Sequence, residues 1–363
     1  MLKLALAAAI SLMFVLEPAS AATRHKGHAT ATKRVKARAA PAKAVAQARG
    51  ARRVALVRNG RHRIVFQRVR HAAPAVVALS AGELAGLNRT TDPLELRSNV
   101  AYVMDQSSSE VLFEKNANVA LPIASITKLM TGLLVVEARQ DMDEVLTVTE
   151  ADVDRHKFTS SRLPVGARMT RANLLHIALM SSENRAAAAL GRNYPGGIEA
   201  FVAAMNAKAR ELGMSDTHYV DSSGLSSQNV SSARDLARLV KVAHQEPVLR
   251  QYTTDPQYIV EAGGRALHYH NTNYLVASPD WNIGLQKTGF INEAGRCLVM
   301  QAMIQGRNVI MVFLDSKGKQ SRTADAGRMR RWLEALKPAA IPAAAAAGVP
   351  VTVSAAVTAP VVQ

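Results

Sequence analysis

The strand-like runs of this chain lie at the two ends of its middle portion, with helical runs between them. Val100-Ala101-Tyr102-Val103-Met104 and Val111-Leu112-Phe113 come first, flanking the polar stretch Asp105 to Glu110, which reads as a hairpin loop. Runs at 282–288, 296–305 and 308–314 come last, the final two joined through Gly306. In between, a helix from about Ser125 carries Ile126, Leu129, Met130, Leu133 and Leu134 at helical spacing. Further helices are expected at 171–180, 184–192, 197–212 and 232–244, and a closing one at 320–336. Gly213 suits the C-cap of the third of these, and Ser232 with Asp235 resembles a capping box for the fourth. The pattern calls for one sheet, formed by both ends of the body, beside a helical lobe.

The folded body expected from this order spans about 97–337. What precedes it differs in kind. Lys3, the apolar run Leu4 to Leu16 and the small residues Ala19-Ser20-Ala21 read as a secretory signal over 1–21, too short for the roughly 20 residues that span a bilayer. Residues 22–96 read as a basic, mostly disordered linker, because a segment this charged and this poor in amphipathic order cannot bury enough surface to offset its ordering entropy. Arg24 to Arg70 holds 15 basic residues and no acidic one, and removing those fifteen from the net charge of +17 leaves +2 for the rest. Within it, Arg63 to Val69 alternates weakly, as a strand does. Export makes anionic wall polymers or a membrane surface, rather than nucleic acid, the expected partners of residues 24–70. The tail 338–363 is rich in Ala, Val and Pro, and is expected to be disordered.

Three short motifs carry chemistry. Ser125-Ile126-Thr127-Lys128 places a hydroxyl and an amine one helical turn apart. A serine hydroxyl is a poor nucleophile until a base takes its proton, and a lysine serves as that base only where burial or positive neighbours leave it neutral. Ser182-Glu183-Asn184 falls between two helical runs, where a hydroxyl can relay a proton and an amide can hold a carbonyl. Lys287-Thr288-Gly289 ends a strand-like run, with a cation and a hydroxyl suited to a carboxylate and a glycine that lets substrate approach the backbone. Each motif alone is commonplace. In this order, 57 and then 105 residues apart, they form the signature shared by penicillin-binding proteins and class A β-lactamases.

The body resembles the low-molecular-mass penicillin-binding proteins of the D-alanyl-D-alanine carboxypeptidase and endopeptidase family. Asp221-Ser222-Ser223-Gly224-Leu225, Ser231 to Ala237, Asn271-Thr272-Asn273 and the run from Lys287 to Leu298 add to the likeness. The resemblance implies an α/β (α+β) fold of the β-lactamase/DD-peptidase type, an antiparallel sheet of about five strands flanked by helices, plus an all-helical lobe. It implies that Ser125 attacks a D-Ala carbonyl to form an acyl-enzyme and that Lys128 takes its proton. Ser182, assisted by Lys287, then protonates the leaving group, Asn184 orients the substrate amide and Thr288 holds a carboxylate. The backbone N–H groups of Ser125 and Phe290, with Gly289 between strand and substrate, form the oxyanion hole. No metal or organic cofactor is implied. The expected partners are peptidoglycan peptide stems, with β-lactams acylating Ser125, and the expected location is the periplasm.

Within that family, carboxypeptidases often carry a second, β-rich domain and a membrane-binding tail, whereas few residues follow Leu336 here. That, and the run Gly295 to Met300, favours an endopeptidase cutting D-alanyl cross-links, with a carboxypeptidase as the alternative and a non-catalytic peptidoglycan-binding module as a further one. A class A β-lactamase is disfavoured because His218 to Leu225 holds no glutamate for deacylation, and Asp221 there suits a turn. The single cysteine, Cys297, excludes an intrachain disulfide and suits a buried core position. His25 and His28 suit solvent rather than metal. His156, His176 and His244 have no matched partners in the sequence, and Glu183 is expected to face solvent.

Overall fold

The computed structural model describes residues 51–58, 61–68 and 78–336. The expected signal peptide, most of the basic segment and the C-terminal tail lie outside them. Residues up to Ala75 and those from Val76 onward form two units. In the first, β1 (Ala51–Arg58) pairs antiparallel with β2 (Arg61–Arg68), Arg58 opposite Arg61. Sequence reasoning expected one strand here, and the structure has two. The overlooked signal is Asn59-Gly60, the dipeptide most favoured between hairpin strands.

The second unit starts earlier than Arg97. Helix α1 (Ala81–Leu84) is opened by a reciprocal capping box between Ser80 and Glu83. Asp92 forms an ion pair with Lys115 at 2.9 Å, both side chains 5 % exposed. These polar anchors, rather than apolar periodicity, order residues 78–96, which is why hydropathy placed them in the linker.

The elements then follow the expected order. Strands β3 (Ser98–Asp105), β4 (Val111–Lys115) and β5 (Leu121–Pro122) lead into a 3₁₀ turn at Ala124–Ile126 and helix α2 (Thr127–Glu137). Short strands β6 (Val145–Thr147) and β7 (Arg168–Thr170) bracket a long loop. Helices α3 (Arg171–Met180), α4 (Asn184–Arg192) and α5 (Gly197–Glu211) come next. Strand β8 (Val230–Ser231) and helix α6 (Ala233–Ala243) complete the expected lobe. Helix α7 (Pro247–Thr254), with proline at its start, and the hairpin β9 (Gln257–Ala262) and β10 (Arg265–His270) were not expected. Gly263 and Gly264 between those strands both have positive φ, the conformation that a two-residue hairpin turn demands. Strands β11 (Asn282–Ile291), β12 (Gly295–Ile304) and β13 (Arg307–Ser316), then helix α8 (Ser321–Ala335), close the body.

The main sheet has the order β11-β12-β13-β3-β4, antiparallel throughout. All eight positions of β3 are buried because both faces are covered. Val100, Tyr102 and Met104 turn to the lobe-side core, and Ala101 and Val103 to a second core that Ala326, Met329 and Leu333 of α8 complete. The Asp325 carboxylate, buried in α8, accepts from Arg97 N (3.1 Å), Ser98 N (2.8 Å) and Ser98 Oγ (2.6 Å), tying the last helix to the first sheet strand.

Helix ends obey local rules. After α5, Gly213 N donates to Arg210 O and Met214 N to Ala209 O, with Gly213 at φ +69°, a Schellman ending. Before α6, Ser232 accepts from Asp235 N, but the Asp235 carboxylate turns away to Asp216 N and Thr217 Oγ1, so the expected box is half made. In α2, Thr127 to Val135 are all buried, so this helix is the axis of the lobe.

Candidate active site

The cleft lies where the start of α2 meets β11. Ser125 sits in the 3₁₀ turn just before α2, one step earlier than the helix expected to carry it. That turn is clamped by glycines from two distant segments. A Cβ on Gly224 would stand 2.0 Å from Ala124 O, and one on Gly289 would stand 2.8 Å from Ile123 O and 3.2 Å from Ser125 N. Ala124 itself takes φ +49°, a conformation that costs a non-glycine residue on the order of 1–3 kcal/mol and persists only where the surroundings impose it. Thr127 Oγ1 donates to Ala124 O (2.8 Å) and accepts from Asn229 Nδ2 (3.1 Å), which fixes the turn from its inner side.

Lys128 is fully buried. Its Nζ reaches Ser125 Oγ at 2.8 Å, Asn184 Oδ1 at 2.8 Å and Ser223 O at 2.6 Å. Three oxygens around one amine satisfy an ammonium completely. When the amine is neutral, its lone pair is free for the nearest hydroxyl proton. Burial pushes its pKa down to about 7, against the opposing pull of the Asp221 and Glu183 carboxylates. Asp221 makes the turn that sequence reasoning assigned to it: its carboxylate accepts from Ser223 N, Ser223 Oγ, Gly224 N and Ser226 N.

The second motif stands in the turn from α3 to α4. Ser182 has φ +63°, and Glu183 caps α4 by accepting from Arg185 N. Glu183 was expected in solvent. Instead it is buried, and its carboxylate also accepts from Ser161 Oγ at 2.7 Å, because an N-cap acceptor must turn back over the first helical turn. Asn184 opens α4, its Oδ1 on Lys128 and its Nδ2 donating to Thr159 Oγ1 at 3.0 Å.

The third motif supplies the opposite wall. Lys287 is also fully buried, and its Nζ donates to Ser182 Oγ and to Thr288 O, both at 2.9 Å. Burial pushes its pKa well below the ordinary lysine value, and the Lys128 and Arg322 charges push the same way. Thr288 Oγ1 lies 2.6 Å from Thr272 Oγ1. Arg322 of α8 donates to Gly289 O (2.7 Å) and Cys297 O (3.2 Å), bracing the strand end from behind. Phe290 is half exposed, with the Arg296 guanidinium stacked 4.5 Å from its ring centroid.

The three motifs therefore meet: Ser125 and Asn184 on Lys128, Ser182 on Lys287, and Gly289 against the Ser125 turn. Sequence reasoning missed the carbonyl of Ser223, the hydroxyls of Thr159 and Thr272, and Arg322. Ser223 and Thr272 belong to runs it had noted, whereas nothing in the sequence marks Thr159. Two histidines given no partner have one. His176 is stacked between Tyr252 and Tyr258 with Nε2 2.9 Å from Asp255 Oδ2, and His244 Nδ1 pairs with Gln106 Nε2 at 3.1 Å. Cys297 is buried as expected, with its thiol pushed up to about 12 by burial. Among the described residues no cluster of three or more His, Cys, Asp or Glu is placed to hold a metal ion, and no helix is long and apolar enough to cross a membrane.

The Ser125 hydroxyl on the buried Lys128 amine, the Ser182 hydroxyl on the buried Lys287 amine, and the Asn184 carboxamide give this place the groups that acyl transfer would need. A family profile described as D-alanyl-D-alanine carboxypeptidase matches residues 87–318. The D-alanyl-D-alanine endopeptidase of Pseudomonas aeruginosa is 49 % identical over 255 residues, covering 70 % of this chain and 82 % of that one. The protein of the same name from Escherichia coli is 42 % identical over 275 residues, covering 75 % and 87 %. Among solved structures, the Streptomyces K15 DD-transpeptidase superposes with a TM-score of 0.63 at 28 % identity, covering 68 % of this chain and all of that one.

Proposed function

The chain belongs to the D-alanyl-D-alanine carboxypeptidase family of serine peptidases, and from that premise we propose that it is a D-alanyl-D-alanine endopeptidase that opens peptidoglycan cross-links through an acyl-enzyme on Ser125. The observation that carries this is the Lys128 amine, wholly buried and 2.8 Å from the Ser125 hydroxyl. With its pKa brought to about 7, half of it is neutral near physiological pH and able to accept a proton.

In the proposed mechanism Lys128 Nζ takes the Ser125 Oγ proton as Oγ bonds to the D-Ala carbonyl carbon. The negative oxygen that develops is met by the backbone N–H groups of Ser125 and Phe290, and the close approach at Gly289 leaves room for it. Ser182 delivers a proton to the departing nitrogen as the C–N bond breaks, and the proton that Lys128 took from Ser125 replaces it through the Ser182–Lys287 pair, leaving Lys128 neutral again. Asn184 orients the donor amide and Thr288 the acceptor carboxylate. Neutral Lys128 then takes a proton from the water that attacks the ester and returns it to Ser125 Oγ as the acyl–oxygen bond breaks. β-Lactams fit the same path as far as the acyl-enzyme. The Asp221 carboxylate is taken up by the N–H groups of its own turn, which supports slow release of that species.

Substrate and basic segment together suggest a periplasmic enzyme held near anionic wall polymers or a membrane surface by residues 24–70. The deciding experiment is digestion of purified cross-linked peptidoglycan by the wild type and by Ser125→Ala, read by mass. Uncross-linked monomers released by the wild type alone are expected. Loss of only terminal D-Ala would make it a carboxypeptidase, and no Ser125-dependent product would leave a binding module.

A further inference from the structure

Asn184 has a carboxamide whose two ends do opposite things, and something must decide which end faces Lys128. Its Oδ1 stands 2.8 Å from Lys128 Nζ and its Nδ2 3.0 Å from Thr159 Oγ1. Thr159 in turn reaches Asp154 Oδ2 at 2.7 Å. Asp154 also accepts from His156 N, Lys157 N and Thr159 N at 2.8, 2.9 and 2.8 Å. Although burial works against its charge, these bonds hold the Asp154 carboxyl below its ordinary range.

The direction of every bond in this chain follows from its last member. An ionised carboxylate only accepts, so the Thr159 hydroxyl must give Asp154 its one proton. Thr159 then has only lone pairs left for Asn184 and selects the NH₂ end. Oδ1 is thereby left for Lys128, and the second hydrogen of the NH₂ group is left for a substrate carbonyl. The loop is also tied down outside this chain, by an ion pair from Lys157 to Glu293 in the β11–β12 turn.

We propose that Thr159, itself fixed by Asp154, is a positioning residue that sets the orientation of the Asn184 amide and so guarantees Lys128 an acceptor for the proton it takes from Ser125. The role of Lys128 rests on the function proposed above. The wrong orientation would aim two N–H groups at the amine and disfavour its protonated form. The other charges facing Lys128, namely Asp221, Glu183 and Lys287, are untouched by substitutions at Thr159.

The test pairs Thr159→Val, which removes the hydroxyl at constant shape, with Thr159→Ser, which keeps it. In lysine-labelled full-length protein, the carbon next to the Lys128 amine is followed by NMR through a pH titration. Acylation by a fluorescent penicillin is timed over the same range. Thr159→Val is expected to lower the Lys128 midpoint by about half a pH unit and slow acylation about tenfold, with Thr159→Ser close to wild type. An unchanged midpoint in Thr159→Val, or the same loss in Thr159→Ser, overturns the inference. Should Thr159→Val unfold, Thr159→Ala takes its place, with the melting temperature as the check. A midpoint that moves in a protein that takes no penicillin supports the positioning role while sinking the catalytic one.

Discussion

The two walls of the cleft each bury a lysine completely and bond it to a serine, yet the lysines are not equivalent. Lys128, on the lobe side, has the Asp221 and Glu183 carboxylates as electrostatic neighbours, which offset part of the cost of burial and leave it titrating at about 7. Lys287, on the sheet side, has cations instead, Lys128 and Arg322, which add to that cost. Identical burial therefore gives different chemistry. A base must change protonation state during turnover, and the carboxylates on the lobe side favour the protonated form that the cations on the sheet side disfavour.

That contrast can be broken by experiment. The largest effect belongs to the lobe side: Ser125→Ala or Lys128→Ala should cut penicillin acylation at least about a thousandfold, measured by stopped-flow labelling. Lys287→Ala should cost about a hundredfold, as a charge stabiliser and relay does, and an equal loss would show that the two lysines share one role. Gly289→Ala pushes a methyl group against Ile123 O and should slow acylation by roughly tenfold to a hundredfold while substrate binding changes little. The smallest change sharpens the comparison most. In wild type the acylation rate should rise with pH through about 7, as Lys128 loses its proton. Glu183→Gln keeps the N-cap acceptor but deletes a charge that raises the Lys128 pKa, so this limb should move to lower pH by about half a unit. The same depression from 10.5 to about 7 means that the unfolded chain binds this proton more tightly, so stability should rise with pH between those values, by thermal melts.

Much of this was legible in the sequence, and for a physical reason. Ile126 to Leu134 repeat with the period of a helix, and Val100 to Met104 read as a strand, because burial acts on each residue in a regular element. The motifs picked out side chains that the fold does bring together, because such chemistry depends on residue type. What escaped depends on chain segments meeting. Ser223 contributes a carbonyl that any residue has, and Thr159 becomes important only because the 154–163 loop lies over Asn184. The left-handed turns at Ala124 and Ser182 escaped as well, since no local preference of alanine or serine announces them; packing imposes them. Residues 78–96 were misplaced because caps and an ion pair leave no periodic trace.

The position of β3 in the sheet has a further consequence, for how the molecule comes into being. Its partner on one side, β4, follows within a few residues, but its partner on the other, β13, is made some two hundred residues later, pairing Val309 with Asp105 and Leu314 with Val100. As the chain grows from its N-terminus, an apolar strand with one open edge must therefore wait for nearly the whole body. Contacts so distant in sequence fold slowly, and an unpaired apolar edge invites pairing with other chains. A strand buried at every position in the finished enzyme is thus one exposed to error while it is being made, and the lobe that carries Ser125 is the loop of chain that must close before that exposure ends.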